Sequence, residues 1–353
     1  EEAGDELVTI KPDTGRSRAV MTVWASADDR VIDTDPIGTA GQYNFVLAQA
    51  LMTQLTEEED TDYAGRCREA AERCWSWAEE NRAPSNAGQY GCAIQATVEL
   101  FHATGRDNYK DRAVEYARRL LDLQVTEPVG SNPTIRGFFR TSVKDDKPFR
   151  DVWHGRLHFL GLCALAHAFP AHADASRWRR AIKLYAEGYL LPLSARNNFQ
   201  MVPLGLYADK DAGGRRVGPY WYRYFMRPEG WWVGVNAHVA SAGVGLIEAA
   251  QVLGNPELLS VAQRQLDWVL GLNALDASTV VGVGRNQPEA FNNGNEFQPA
   301  TPKITGAVMN GLGGTEGDQP ARWDGLYHTA EYWTPMVAFT AWLIASLRAG
   351  RSF

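Results

Sequence analysis

At 353 residues the chain exceeds the usual size of one compact domain, although large helical barrels of this length fold as one. Its 45% hydrophobic and 22% charged residues exclude collagen, a coiled coil and wholesale disorder, and no apolar run of about eighteen residues is present to span a membrane. With 35 Lys+Arg against 42 Asp+Glu the net charge is -7, which argues against nucleic acid as main partner but leaves room for a local basic pocket.

Residues 1–40 read as an N-terminal lead-in to a single helical domain over 41–353. The opening Glu1–Glu6 segment is acidic and has no apolar core, unlike a signal peptide. Just before the first helix lie Asp33 and Asp35, with Asp28-Asp29 behind them. Apolar spacing of three and four then predicts helices over 43–55, 62–81, 90–104, 109–124, 157–169, 175–191, 237–253 and 257–271, and a last one over 333–348. Two helix ends repeat one plan: a helix closes on Gly105 or Gly254, a polar pair follows, and a new helix starts. Pro256 fits a first helical turn, where its missing N–H costs nothing. Antiparallel helix pairs suit a solenoid or a closed toroid. The long, uneven connections 126–152, 192–236 and 273–330 favour the toroid, an all-α (α/α)6 barrel with binding loops gathered at one end. Nine helices are readable where six hairpins need twelve.

Cys67 and Cys74 lie too far apart along one helix to be bridged; with Cys92 and Cys163 they read as buried thiols. No HxH or HExxH pair marks a metal site, and His154 and His158, four apart, read as one packed helical face. No Gly-x-Ser-x-Gly elbow is present. The run 278–288 contains Gly282 and Gly284 but completes no phosphate-binding motif. No cofactor or metal is therefore expected.

Three clusters remain. Arg150, Asp151, Trp153 and His154 place charge, imidazole and indole within five residues, the makings of a sugar subsite or of a surface ion-pair cluster. Tyr220 to Phe225, with Trp221, and then Trp231-Trp232 form an aromatic run that reads as pocket lining. In the run 323–335, Tyr327, His328, Glu331 and Trp333 stand together. Thr329 fits an N-cap that would put Glu331 in the first turn of the last helix, as dipole compensation or as a proton donor. A carboxyl crowded by Tyr327, Tyr332 and Trp333 loses hydration, which favours the protonated form.

Two segments in this order, Ser278 to Asn286 and Tyr327 to Glu331, resemble the C-terminal signatures of glycoside hydrolase family 9. Ser278, Val280, Val281, Gly284 and Asn286 follow the first, and Tyr327-x-x-x-Glu331 keeps the spacing before that family's acid. The Leu270-Gly271-Leu272-Asn273 ending of the preceding helix and the stretch Pro299 to Gly314 are similar too. The resemblance implies an inverting glycosidase with Glu331 as general acid, Asp33 or Asp35 as base, and an oligo- or polysaccharide as substrate. That substrate class implies a secreted or periplasmic setting.

The departures are specific. The family's His-x-Arg is replaced by Asn292-Asn293-Gly294, its Asp-Ala-Gly-Asp motif does not occur, and Asp324 stands seven rather than nine residues before Glu331. Together with Arg150, Arg223 and Arg285 in the site loops, these changes point to an acidic sugar, as for the glucuronidases of family 154. A lyase or epimerase on the same toroid, using Tyr222, His154 or Arg150, and a binding protein that has lost catalysis are the alternatives.

Overall fold

The computed structural model describes residues 38–150, 155–209, 213–227, 234–291 and 303–350. Helix pairs follow one another from the start: α1 (Thr39–Thr56) and α2 (Thr61–Asn81), α3 (Ala87–Thr104) and α4 (Asp107–Leu121), α5 (Leu157–Ala168) and α6 (Ala175–Tyr185). After α6 the chain winds through a π-helical turn, Ala186–Leu190, into the short α7 (Leu191–Ser194). Pro192 has no N–H to return to the Gly188 carbonyl, which accepts from Arg136 N–H at 2.9 Å instead. The pair α8 (Val235–Leu253) and α9 (Glu257–Val269) follows, then the single turn α10 (Tyr327–Ala330) and the long α11 (Thr334–Gly350).

Local chemistry sets these ends. Asp60 and Asn86 cap α2 and α3 by accepting the N–H groups of Tyr63 and Gln89 at 2.9 and 3.0 Å. Gly105 and Gly254 close α3 and α8 at φ 68° and 64°. No neighbouring atom crowds either glycine, so backbone conformation alone demands them. Pro256 stands at the N-cap of α9, one residue ahead of the first turn.

Burial sorts the helices into two rings. Twelve of the 18 residues of α3 are buried, against four of the 21 of α2. Thus α3, α5 and α8 are inner helices, apolar on all sides, while α2, α4, α6 and α9 cover them with one apolar face. Around the axis α1 packs on α3, α3 on α5, α5 on α8 and α8 on α11. The inner helices touch at glycine: a Cβ on Gly91 would sit 2.4 Å from the His158 backbone, and one on Gly161 would sit 2.7 Å from the Gly91 carbonyl. At the two ends of this series α1 exposes Phe45, Leu51 and Leu55, and α11 exposes Val337, Trp342 and Ile344.

The long connections precede the inner helices α5, α8 and α11, so all arrive at one end of the ring. There Thr141 accepts from the first N–H of α3, Asn310 accepts from Asn236 near the start of α8, both at 2.9 Å, and Gly234 lies against Met336 in the first turn of α11. The connections are not wholly irregular. One carries an antiparallel sheet of β1 (Gly205–Tyr207), β2 (Arg215–Val217) and β3 (Tyr220–Arg223), with β3 in the middle. Another carries the two-residue pair β4 (Gly313–Gly314) and β5 (Pro320–Ala321). Loop backbone tucked against a helical core must find hydrogen-bond partners, and strand pairing supplies them.

Cys67, Cys92 and Cys163 are buried thiols; Cys74 is half-buried and donates to the Gln42 side chain at 3.3 Å. Among the described residues no helix is long and apolar enough to cross a membrane.

Candidate active site

The site around Glu331 is built from four stretches of chain: the start of α8, residues 278–281, residues 307–311 and residues 327–332. Val280 bridges Val308, and Met309 bridges Tyr332, both antiparallel. Asn236, fully buried at the start of α8, donates through Nδ2 to Thr279 Oγ1 at 2.8 Å and to the Met309 carbonyl at 2.9 Å. Gly311, at φ 112°, brings its backbone so close that a Cβ there would lie 2.7 Å from Asn236 Oδ1. Asn310 is also fully buried; its N–H donates to the Glu331 carbonyl at 2.9 Å and its Nδ2 to the Tyr327 carbonyl at 2.6 Å.

Glu331 does not lie in the first turn of α11. It follows α10 in an extended conformation, φ -77° and ψ 148°, three residues before α11 begins at Thr334. The reason is chemical. An α-helix running through Glu331 would need an N–H from residue 335 for the Glu331 carbonyl, and that residue is Pro335. The carbonyl turns to Asn310 instead. Thr329 is accordingly no N-cap: it is fully buried within α10, and its hydroxyl accepts from Trp323 N–H at 3.3 Å. Compensation of the α11 dipole from within its first turn is therefore not the role of Glu331.

Glu331 Oε2 is buried and has no hydrogen-bond partner among the described residues. Leaving such an oxygen unpaired costs on the order of 1–3 kcal/mol. His328 Nδ1, Tyr332 OH and the Oδ1 atoms of Asn236 and Asn310 share that condition. Buried polar groups in native proteins are nearly always paired, so these five atoms on the stretches around Glu331 make this a candidate site, although seven further atoms in the same condition lie elsewhere among the described residues. Next to it the rings of Tyr327 and His328 stack at 3.9 Å, Trp323 meets His328 edge-on at 5.0 Å, and Tyr327 and Trp333 are 38% and 42% exposed, able to stack on a sugar face.

Burial pushes the His328 imidazole below its ordinary value of 6.5, so it is neutral at neutral pH. Its contribution to stability is complete above the unfolded value of 6.5 and is lost as pH falls from there through the folded value. In a histidine NMR titration His328 is therefore expected to have a midpoint below 6.5, and His328→Gln to flatten the acid side of the stability profile; a midpoint at or above 6.5 refutes the burial argument.

The other candidates divide. Arg150 lies 4.1 Å above the Tyr207 ring and donates to its hydroxyl at 2.7 Å. Tyr207 pairs across β1 and β3 with Trp221, which pairs in turn with Arg216 of β2, so two neighbouring aromatic rings lie between the guanidiniums of Arg150 and Arg216. Tyr207 carried no signal in the sequence, and only the strand register reveals it. By contrast Tyr222, Tyr224 and Phe225 are core residues, and only Tyr220 and Trp221 of that run are half-exposed. The fully buried Asp318 side chain makes this possible by accepting the N–H groups of Tyr224 and Phe225, each at 3.1 Å. Arg223 is likewise structural: it is 1% exposed, 3.9 Å from Asp318, and donates to the carbonyls of Thr315, Glu316 and Phe225. Arg285 is 77% exposed and pairs with Asp276 at 2.8 Å, while Asn286, at φ 51°, bonds the same aspartate. These two hold a surface turn. Asp33, Asp35, Asp151, Trp153, His154 and Trp232 lie outside the described residues, as does Asn292-Asn293-Gly294. Among the described residues no group of three or more His, Cys, Asp or Glu is placed to hold a metal ion.

Comparison with known families decides the lineage: Glycosyl hydrolase family 9 matches residues 15–326. The chain belongs to that family. The match stops five residues short of Glu331. Among curated proteins, a cellulose 1,4-beta-cellobiosidase of Acetivibrio thermocellus is 24% identical, covering 70% of this chain and 27% of that protein. Among solved structures, the cellulase Cel9M of C. cellulolyticum superimposes with a TM-score of 0.58 at 18% identity, covering 91% of this chain and 66% of that one. An endoglucanase of the termite Nasutitermes takasagoensis gives 0.57 at 18%, covering 91% and 67%. These family 9 structures are (α/α)6 barrels, which is the fold class of this chain. The chain spans about two-thirds of their length and about a quarter of the curated relative's.

Proposed function

We propose that this family 9 protein hydrolyses β-linked glucan by inversion, with Glu331 protonating the leaving oxygen. The carrying observation is the Glu331 carboxyl itself: one oxygen is buried without a partner among the described residues, on a turn anchored at both ends by Asn310. A carboxyl so placed can give its proton to a glycosidic oxygen that reaches Oε2. The base that activates water is assigned to Asp33 or Asp35 of the lead-in, and inverting enzymes in general keep their two carboxyl groups about 6.5–9.5 Å apart. Tyr327 and Trp333 offer the stacking surface. The names of the curated relative and of the similar structures, cellobiosidase and cellulase, support a neutral β-glucan.

The enclosure of Arg223 by the carbonyls of Thr315, Glu316 and Phe225 supports it too, since that guanidinium is not left to bind a uronate. The acidic-sugar reading keeps Arg150 on Tyr207. Proton NMR of the first-formed sugar from cellopentaose is expected to show the α-anomer. A first-formed β-anomer overturns inversion, and no cleavage of cellopentaose overturns the substrate. Between a β-glucoside and the matching β-glucuronide, kcat/KM is expected to favour the glucoside. A preference for the glucuronide of about tenfold, the effect of one charge-assisted pairing of about 1.4 kcal/mol, would return the assignment to an acidic sugar.

A further inference from the structure

We infer that Asn310 is a positioning residue for the proton donor: its side-chain amide holds Glu331 where it can reach the leaving oxygen. The inference rests on Glu331 being the acid. Glu331 is not fixed by helical hydrogen bonds of its own, because it lies in extended backbone between α10 and α11 and Pro335 offers no N–H to its carbonyl. Two bonds from one residue replace them. Asn310 N–H takes the Glu331 carbonyl at 2.9 Å, and Asn310 Nδ2 takes the Tyr327 carbonyl, four residues back, at 2.6 Å. The backbone bond survives any substitution except proline, whereas the side-chain bond belongs to asparagine.

Asn310 is itself held. It is 0% exposed, its carbonyl accepts from Asn236 N–H at 2.9 Å, and the Asn236 amide clamps Met309 beside it. The rigid start of α8 is thus tied through Asn236 and Asn310 to both ends of the α10 turn. Alanine at 310 would release the Tyr327 end, and the turn that sets the direction of the Glu331 side chain would be pinned at one end only. A misplacement of about 1 Å can cost about a hundredfold in rate without loss of binding.

The test uses two substrates. Cellopentaose has a poor leaving group that needs the proton. 2,4-Dinitrophenyl β-cellobioside releases a phenolate stable without one, so a defect confined to proton donation disappears on it. Glu331→Gln is run alongside. Asn310→Ala is expected to lower kcat on cellopentaose about ten- to a hundredfold, with KM within about twofold, and to stay within about threefold of the wild type on the dinitrophenyl substrate. Asn310→Asp keeps the volume, but its ionised carboxylate has no proton for the Tyr327 carbonyl; it is expected to show the same substrate-selective loss, and it decides the matter if the alanine variant melts below the assay temperature.

Equal losses on both substrates would mean a merely structural role and would overturn the inference, as would unchanged kcat on cellopentaose. If Glu331→Gln shows its selective loss and the Asn310 variants do not, positioning by Asn310 alone is wrong. If Glu331→Gln retains full activity on cellopentaose, the acid assignment has failed, and this inference with it.

Discussion

Glu331→Gln is expected to lower kcat on cellopentaose by about 10²–10⁴-fold, the usual contribution of general acid catalysis. The substitution is isosteric, and no hydrogen bond of the Glu331 side chain stands among those that join the four stretches of the site. The bonds that do, from Asn310 N–H to the Glu331 carbonyl and from Asn310 Nδ2 to Tyr327, are made by backbone acceptors and persist. The melting curve should therefore stay in place, and KM should change little, because the lost function is realised in the transition state. An amide at Oε2 can donate a hydrogen bond but cannot give up a proton at neutral pH, which separates binding from acid catalysis. Retention of more than about half the activity, far short of any acid-catalytic effect, would remove Glu331 from the mechanism.

The largest expected effect on stability lies where α3 meets α5. Gly91→Ala would place a methyl group 2.4 Å from His158 N and Cα and 2.5 Å from the Leu157 carbonyl carbon. These are backbone atoms of an inner helix and cannot rotate away, so α5 must withdraw from α3. Alanine gains about 1 kcal/mol over glycine in helix propensity, but overpacking against backbone costs about 3 kcal/mol or more and prevails. The melting temperature is expected to fall by about 3 °C or more. Gly65→Ala in α2 is the control: a Cβ there meets nothing within 4 Å, so propensity acts alone and the variant should gain about 0.5–1 kcal/mol. Thermal melts of both variants check the argument, and a Gly91→Ala protein that melts with the wild type would show that the two helices do not touch at glycine.

The helices were legible because their determinants are local. A spacing of three and four, an Asp or Asn before a first turn and a glycine after a last one act within about one turn of chain. The expected helices over 62–81, 157–169 and 257–271 accordingly differ from α2, α5 and α9 by no more than two residues at either end. The position of Glu331 was half legible. Pro335, four residues on, already forbids the helix from reaching back to it, yet the acceptor for the freed carbonyl, Asn310, lies 21 residues upstream.

What tertiary structure alone decided was the fate of individual side chains. Tyr222, Tyr224 and Phe225 look surplus for a loop, and they are buried because Asp318, more than ninety residues away, satisfies the backbone of the last two. Arg223 and Arg285 look alike in sequence, but one is enclosed by the carbonyls of Thr315 and Glu316 while the other meets Asp276 in solvent. Tyr207 and Asn310 had no motif to mark them, since each acts only through a partner brought across by strand pairing. Helices follow from hydrogen bonds closed within four residues of chain, whereas a site is made of hydrogen bonds closed across far longer stretches, from 17 residues for Asn310 and Tyr327 to 94 for Tyr224 and Asp318, and those exist only once the rings have packed.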